Sequence, residues 1–262
     1  MLWHEQSWPT LAAMDKNTPV IIPLGSMEQH GKHLPVLVDT IQVQAIADGA
    51  EKRLGGSALF MPALWLGCSH HHADFAGTVS VHPDLYSEMI QQMVMCVLDA
   101  GFTRVVLLNG HGGNHTPVTH AITNLNGRCD KANDALVVLA TWWITAAPSI
   151  KADKIGMTTP RVSHACEYET SLLLSLRPDL VAMDKIVESK PAYDNKWFQS
   201  EYGGRVTVMH RFRTLAAAGS MGTPSLATAE KGKRLLDAVV GEIAGFVEDL
   251  RTWPLPRRLG PA

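Results

Sequence analysis

Short apolar runs that stop at a glycine, each followed by polar residues and then by a helical pattern, recur along the chain. The first is Val20, Ile21, Ile22 and Leu24, bounded by Pro19 and Gly25, which predicts a buried strand ending in a loop. Residues 40–54 carry apolar positions at helical spacing and close on Gly55-Gly56. Residues 58–64 predict a second strand, 84–100 an amphipathic helix ended by Gly101, and 104–108 a third strand. Further on, 116–125 read as a helix, 135–141 as a fourth strand, and 164–176 as a loop that becomes a helix. The last element is a long helix over 228–251, with Leu235, Leu236, Val239, Val240, Ile243 and Phe246 on one side. Residues 3–14 look helical, with Ser7 or Thr10 as cap. Residues 145–163, with Pro148, Gly156 and Pro160, read as an irregular excursion, 187–213 follow no single period, and 219–222 make a turn.

The strand–loop–helix rhythm runs without a linker, a composition shift or a repeat. It predicts one domain over residues 1–262, a three-layer α/β/α sandwich with a mainly parallel central sheet. A hydrophobic fraction of 46% in 262 residues supports a substantial core. The net charge of −2, without a long basic or acidic block, argues against nucleic acid or a membrane surface as partner. Four cysteines show no metal or redox spacing and read as reduced thiols. The first residues lack a signal-like charged and apolar pattern, and no apolar run reaches bilayer length, so a cytoplasmic protein is expected.

Twelve histidines are more telling, because several lie beside glycines at strand ends. After the first strand come Glu28, His30, His33 and Asp39. An extended backbone past Gly25 points Glu28 and His30 to one side. Asp39, with Gln42 three residues on, also fits a helix N-cap. After the third strand, His111 sits among Asn109, Gly110, Gly112, Gly113 and Asn114; such a loop can coordinate a metal or cradle a phosphate, although it matches neither GxGxxG nor a P-loop. His164, Glu167 and Glu169 form a third group, in which Glu167 can also serve the helix dipole and Glu169 can orient a ligand. Loops at the strand ends of a parallel sheet gather at one edge. Two imidazoles and three carboxylates without a thiolate suit Zn²⁺, Mn²⁺ or Fe²⁺, and five side chains exceed the needs of one tetrahedral ion. Asp39 bridging two ions accounts for the number, and two ions can activate water for attack on an amide.

The blocks PLGSMEQHGKHLPVLVDT, GCSHHHADFAGTVS, LLNGHGGN, HACEYETSLLL and GSMGTPSLATAEKGKRLL together resemble the creatininase (creatinine amidohydrolase) family over nearly the whole chain. The resemblance implies a parallel-sheet sandwich, a binuclear metal centre, hydrolysis of a non-peptide C–N bond in a small amide, and a hexamer. Carried over by position, it implies Glu28, His30, Asp39, His111 and Glu167 as ligands to two divalent ions, with Asp39 bridging and His164 in proton transfer. Glu169 is the other candidate for the proton. Three departures imply a changed substrate pocket: Gly113 where creatininase has a metal-binding glutamate, Ser69-His70-His71-His72 in place of an SxEH pattern, and Ala76 where proline is usual. His70, His71, His72, Trp142 and Trp143 are the expected pocket walls, with the tryptophan pair either stacking on a flat ring or packing in a subunit interface. The family also contains branches that deformylate a pyrimidine intermediate or trim a small peptide. A non-catalytic protein holding a metal or a phosphorylated ligand on the same scaffold is the contrasting expectation.

Overall fold

The computed structural model describes residues 1–189, 194–199, 203–208 and 210–256. Four parallel strands form the central sheet: β1 (Val20–Leu24), β2 (Leu59–Phe60), β3 (Arg104–Asn109) and β4 (Leu136–Thr141), in the order β2-β1-β3-β4. The register pairs Val20 with Val105 and Leu24 with Asn109, then Arg104 with Leu136 and Asn109 with Thr141. β1 and β3 are buried at every position, which is why they read as unbroken apolar runs rather than alternating ones.

Alternate side chains serve two cores. Ile21, Val106 and Leu108 face helices Val38–Leu54, Glu167–Leu176 and Ala229–Thr252, meeting Ile46, Leu172 and Ile243. Val20, Ile22, Val105 and Leu107 face helices Pro83–Asp99 and His115–Arg128, meeting Ile90, Val94 and Val118. The result is a three-layer sandwich. Among the described residues, no helix is long and apolar enough to cross a membrane.

Two expectations change. The second strand contracts to Leu59–Phe60, because Pro62 has no N–H for the ladder, although Met61 and Leu64 still donate to Ile21 and Pro23. Asp39 does not cap its helix: Leu37 occupies that position, and the Asp39 carboxylate turns into the site instead. Part of the segment 187–213 lies outside the described residues.

At the amino end of β3, the buried Arg104 guanidinium donates to the Leu250 and Trp253 carbonyls at 3.0 and 2.7 Å, and to Asn17 Oδ1 at 2.8 Å. It closes the C-terminal end of the last helix, whose final carbonyls have no partner within the helix itself.

Candidate metal centre

The site forms where β1 and β3 end. Leaving β1, the backbone places Glu28 and His30 in the buried interior, and Gly31 turns it in the left-handed region (φ 68°). The loop after β3 is held by two asparagines. Asn109 accepts from the His111 N–H and donates to the His111 carbonyl, while Asn114 accepts from the Cys68 N–H and donates to the Gly25 carbonyl. A Cβ on Gly113 would run into the Cys68 carbonyl and the His111 and His71 rings, so only glycine lets these loops close.

Asp39 stands at the centre. Its Oδ1 lies 3.1 Å from His30 Nε2, and its Oδ2 lies 2.9 Å from His111 Nδ1 and accepts from Ser26 Oγ at 2.7 Å. Glu169 Oε2 lies 3.9 Å from His30 Nε2, and Glu28 Oε2 lies 3.3 Å from His111 Nε2. His30, Asp39 and Glu169 thus form one group of converging ligand atoms, and Glu28, His71 and His111 another; Glu28 also meets His30 and His164. His30 Nδ1 sits 3.1 Å from the Glu28 carbonyl, an arrangement that orients the ring with Nε2 inward.

The electrostatics suit a cation. Three buried carboxylates share one small volume, and burial pushes Glu28 up to about 7 and Glu169 up to about 8. Burial works against a charged His30 and a charged His111. Even so, Asp39 lifts His30 to about 10, and Glu28 with Asp39 lifts His111 to about 9. Burial would raise Asp39, yet His30 and His111 hold it well below the usual carboxylate range. Glu28 Oε2 is buried without a hydrogen-bond donor. An orphaned carboxylate oxygen within a mixed N/O set fits a divalent ion.

The Glu167 position does not fit the ligand role expected for it. Its carboxylate is buried apart from the cluster and accepts from the Thr158 and Thr159 N–H groups, the Thr159 hydroxyl and Lys231 Nζ. Glu169 reaches the cluster instead, and accepts from the Ala165 N–H at 2.5 Å. Ala165 is the one non-glycine with positive φ (49°) among the described residues, a strained link that sets where the helix Glu167–Leu176 begins.

The expected pocket walls divide. His71, His72, Trp143 and His164 line a cavity of about 290 Å³ over the cluster, together with Phe212 and Met221. His70 turns outward to Ser80, and Trp142 is buried in the core, edge-to-face with Trp143 (86°), so the two indoles cannot stack on one ring. His33 faces Thr170 at 2.9 Å. Gln29, unremarked in the sequence, places its amide nitrogen 2.8 Å from His72 Nδ1 and 3.1 Å from His164 Nε2. Phe212 packs against the His72 and His164 rings. Its stretch of sequence has no periodicity that could have revealed it.

A parallel-sheet sandwich whose strand ends bring carboxylates and imidazoles together suits a metal-dependent amidohydrolase. This chain belongs to the creatininase family, whose sequence model, described as creatinine amidohydrolase, matches residues 4–247. Creatinine amidohydrolase of Pseudomonas putida is 28% identical over 244 residues, covering 88% of each chain. Mycofactocin precursor peptide peptidase of Mycobacterium ulcerans (strain Agy99) is 29% identical over 233 residues, covering 85% of this chain and 82% of the relative. A solved structure described as "Creatininase Mn" superposes with a TM-score of 0.78 at 25% identity, covering 95% and 97% of the two chains.

Proposed function

We propose that the protein hydrolyses a non-peptide C–N bond of a small, cyclic amide and uses two divalent ions per subunit. The observation that carries this reading is the split of Asp39, one oxygen toward His30 and the other toward His111, which suits a carboxylate shared by two ions. His30, Asp39 and Glu169 would hold one ion, and Glu28, Asp39 and His111 the other. Zn²⁺ and Mn²⁺ fit this donor set, as does Fe²⁺, and the similarity to creatininases described with Mn and as a Zn-Zn type supports the first two alike. When bound, the ions supply an acidified water and polarisation of the scissile carbonyl.

The chain's own residues supply the rest. His164 Nε2 lies 2.9 Å from the Gln29 carbonyl, which fixes its proton there, and Nδ1 lies 3.6 Å from Glu28 Oε1 inside the cavity. Burial, with His30 beside it, holds the His164 pKa well below its ordinary value. The ring is therefore neutral, with Nδ1 free to take a proton and pass it to the leaving nitrogen. His72 is likewise kept neutral by burial, and with Phe212 it closes one side of the cavity against water.

A second reading is supported by the mycofactocin precursor peptide peptidase, which is as similar as the creatinine amidohydrolase: the same centre would then trim a short peptide. Elemental analysis combined with turnover of creatinine, hydantoins, cyclic imides, formamidopyrimidines and short peptides separates these readings. About two ions per chain are expected for a bridged pair. Full activity in metal-stripped protein would sink the metal-dependent reading. The family resemblance also supports a homo-oligomer, with six copies of the 28.5 kDa chain expected by light scattering.

A further inference from the structure

We infer that a second cavity, beside the metal centre, receives an apolar arm of the substrate that ends in a carboxylate. The inference rests on the hydrolase reading above. The second cavity measures about 630 Å³ against about 290 Å³ for the space over the metal cluster, and Trp143 and Val162 line both. A molecule held at the cluster can therefore extend past these two side chains into the larger space.

The lining of that space states what it accepts. Its interior is apolar: Ile150 and Tyr168 are buried, and Ala147 and Pro160 lie beside them. Tyr168 already donates its hydroxyl to the Thr159 carbonyl, so it offers the cavity its ring rather than a free donor. Among the described residues of the lining, Lys151 and Arg161 are the charged ones. Arg161 also meets Gln199, so Lys151 carries most of the weight. Apolar walls with a lysine at the rim complement an aliphatic or aromatic acid. The first cavity is the opposite in character, lined by Glu28, Asp39, Glu169 and imidazoles. A compact amide would occupy only the smaller space; the substrate class that uses both is an amide joined to an apolar acid.

The test uses the metal-loaded, full-length protein with 3-phenylpropionate as the arm mimic and 3-phenylpropanol as its neutral counterpart, binding being followed by calorimetry. The acid is expected to bind about three- to tenfold more tightly than the alcohol, as for a partly exposed charge-assisted contact. Lys151→Glu is expected to erase that preference, and Ala147→Trp to abolish binding of both, with metal content unchanged in each. Metal-held carboxylate would ignore both substitutions, so equal binding by the variants overturns the inference. An Ala147→Trp variant that breaks up the oligomer assigns the cavity to a subunit contact and overturns it too. Turnover of plain amides with no gain from an acidic arm removes this inference and leaves the hydrolase reading standing. Arm binding that responds to both substitutions, in a protein that cleaves no amide, removes the hydrolase reading and leaves an acid-binding cavity.

Discussion

Glu167 and Glu169 lie two positions apart in the first turn of one helix, and their carboxylates serve opposite sides of it. Glu169 points to His30 and Asp39, while Glu167 is fully buried against Thr158, Thr159 and Lys231. Side chains at i and i+2 of a helix diverge by about 200°, so only one of the two can face the cluster. Glu169→Gln is expected to lower bound metal to one ion per chain or fewer and to remove activity. Glu167→Gln is expected to keep the metal while costing about 2 kcal/mol, the scale of a disrupted buried charged hydrogen bond. Metal analysis and urea denaturation of the two variants check this; metal loss in Glu167→Gln with none in Glu169→Gln would reverse the assignment.

Asp39 is expected to couple the two ions. Asp39→Asn removes the negative charge that faces both His30 and His111, so both ions should be lost together rather than one after the other. Titration with Mn²⁺ or Zn²⁺ should show two sites in the parent and weak binding without a bridged pair in the variant. One ion retained at full affinity would contradict a shared ligand.

His164→Gln is expected to lower kcat by about 10²–10⁴-fold, the range for a lost acid–base group, with metal content unchanged. Gln29→Ala tests the positioning of that ring. It removes the amide beside His72 and His164 but leaves the backbone carbonyl that accepts from His164, so the pH–rate profile should shift while kcat falls less than in His164→Gln. An unchanged profile would show that the amide does not tune the imidazole.

Acid stability should carry the mark of Glu167. Burial alone would raise its pKa, but Lys231 and the Thr159 donors hold it below the usual carboxylate value. The folded-state pKa is thus below the unfolded one, so the carboxylate contributes stability that is full above about pH 4.5 and fades as pH falls through the folded-state value. Thermal melts of the parent between pH 6 and 3 should fall more steeply than those of Glu167→Gln. Parallel curves would show that the carboxylate titrates alike folded and unfolded.

Much of the scaffold can be read from sequence because β1 and β3 are buried on both faces, and no pattern other than a continuous apolar run survives there. The places of Glu28, His30 and His111 at strand ends are legible for the same reason, since a strand's end fixes which loop residues turn inward. The choice between Glu167 and Glu169 is not local. It depends on the helix starting at Glu167, which the left-handed Ala165 sets, and spacing alone does not encode that. Asp39 misleads as a cap because both roles place a carboxylate in the first turn of a helix; the nearby Ser26, His30 and His111 decide between them, and they arrive through tertiary contact. Trp142 and Trp143 look equivalent in the chain, yet successive side chains of a helical turn diverge by about 100°. One joins the core, and the other joins the cavity wall.

The Arg104 clamp divides the molecule's tasks between two poles of the sheet. Every contact it makes lies at the amino ends of the strands, whereas the ligand atoms gather at the carboxyl ends. Robustness and reactivity are therefore mutable separately. Lineages or engineers can toughen the tail of the final helix around Arg104 without retuning the reaction, and can redraw the opposite rim for a new substrate without loosening the frame.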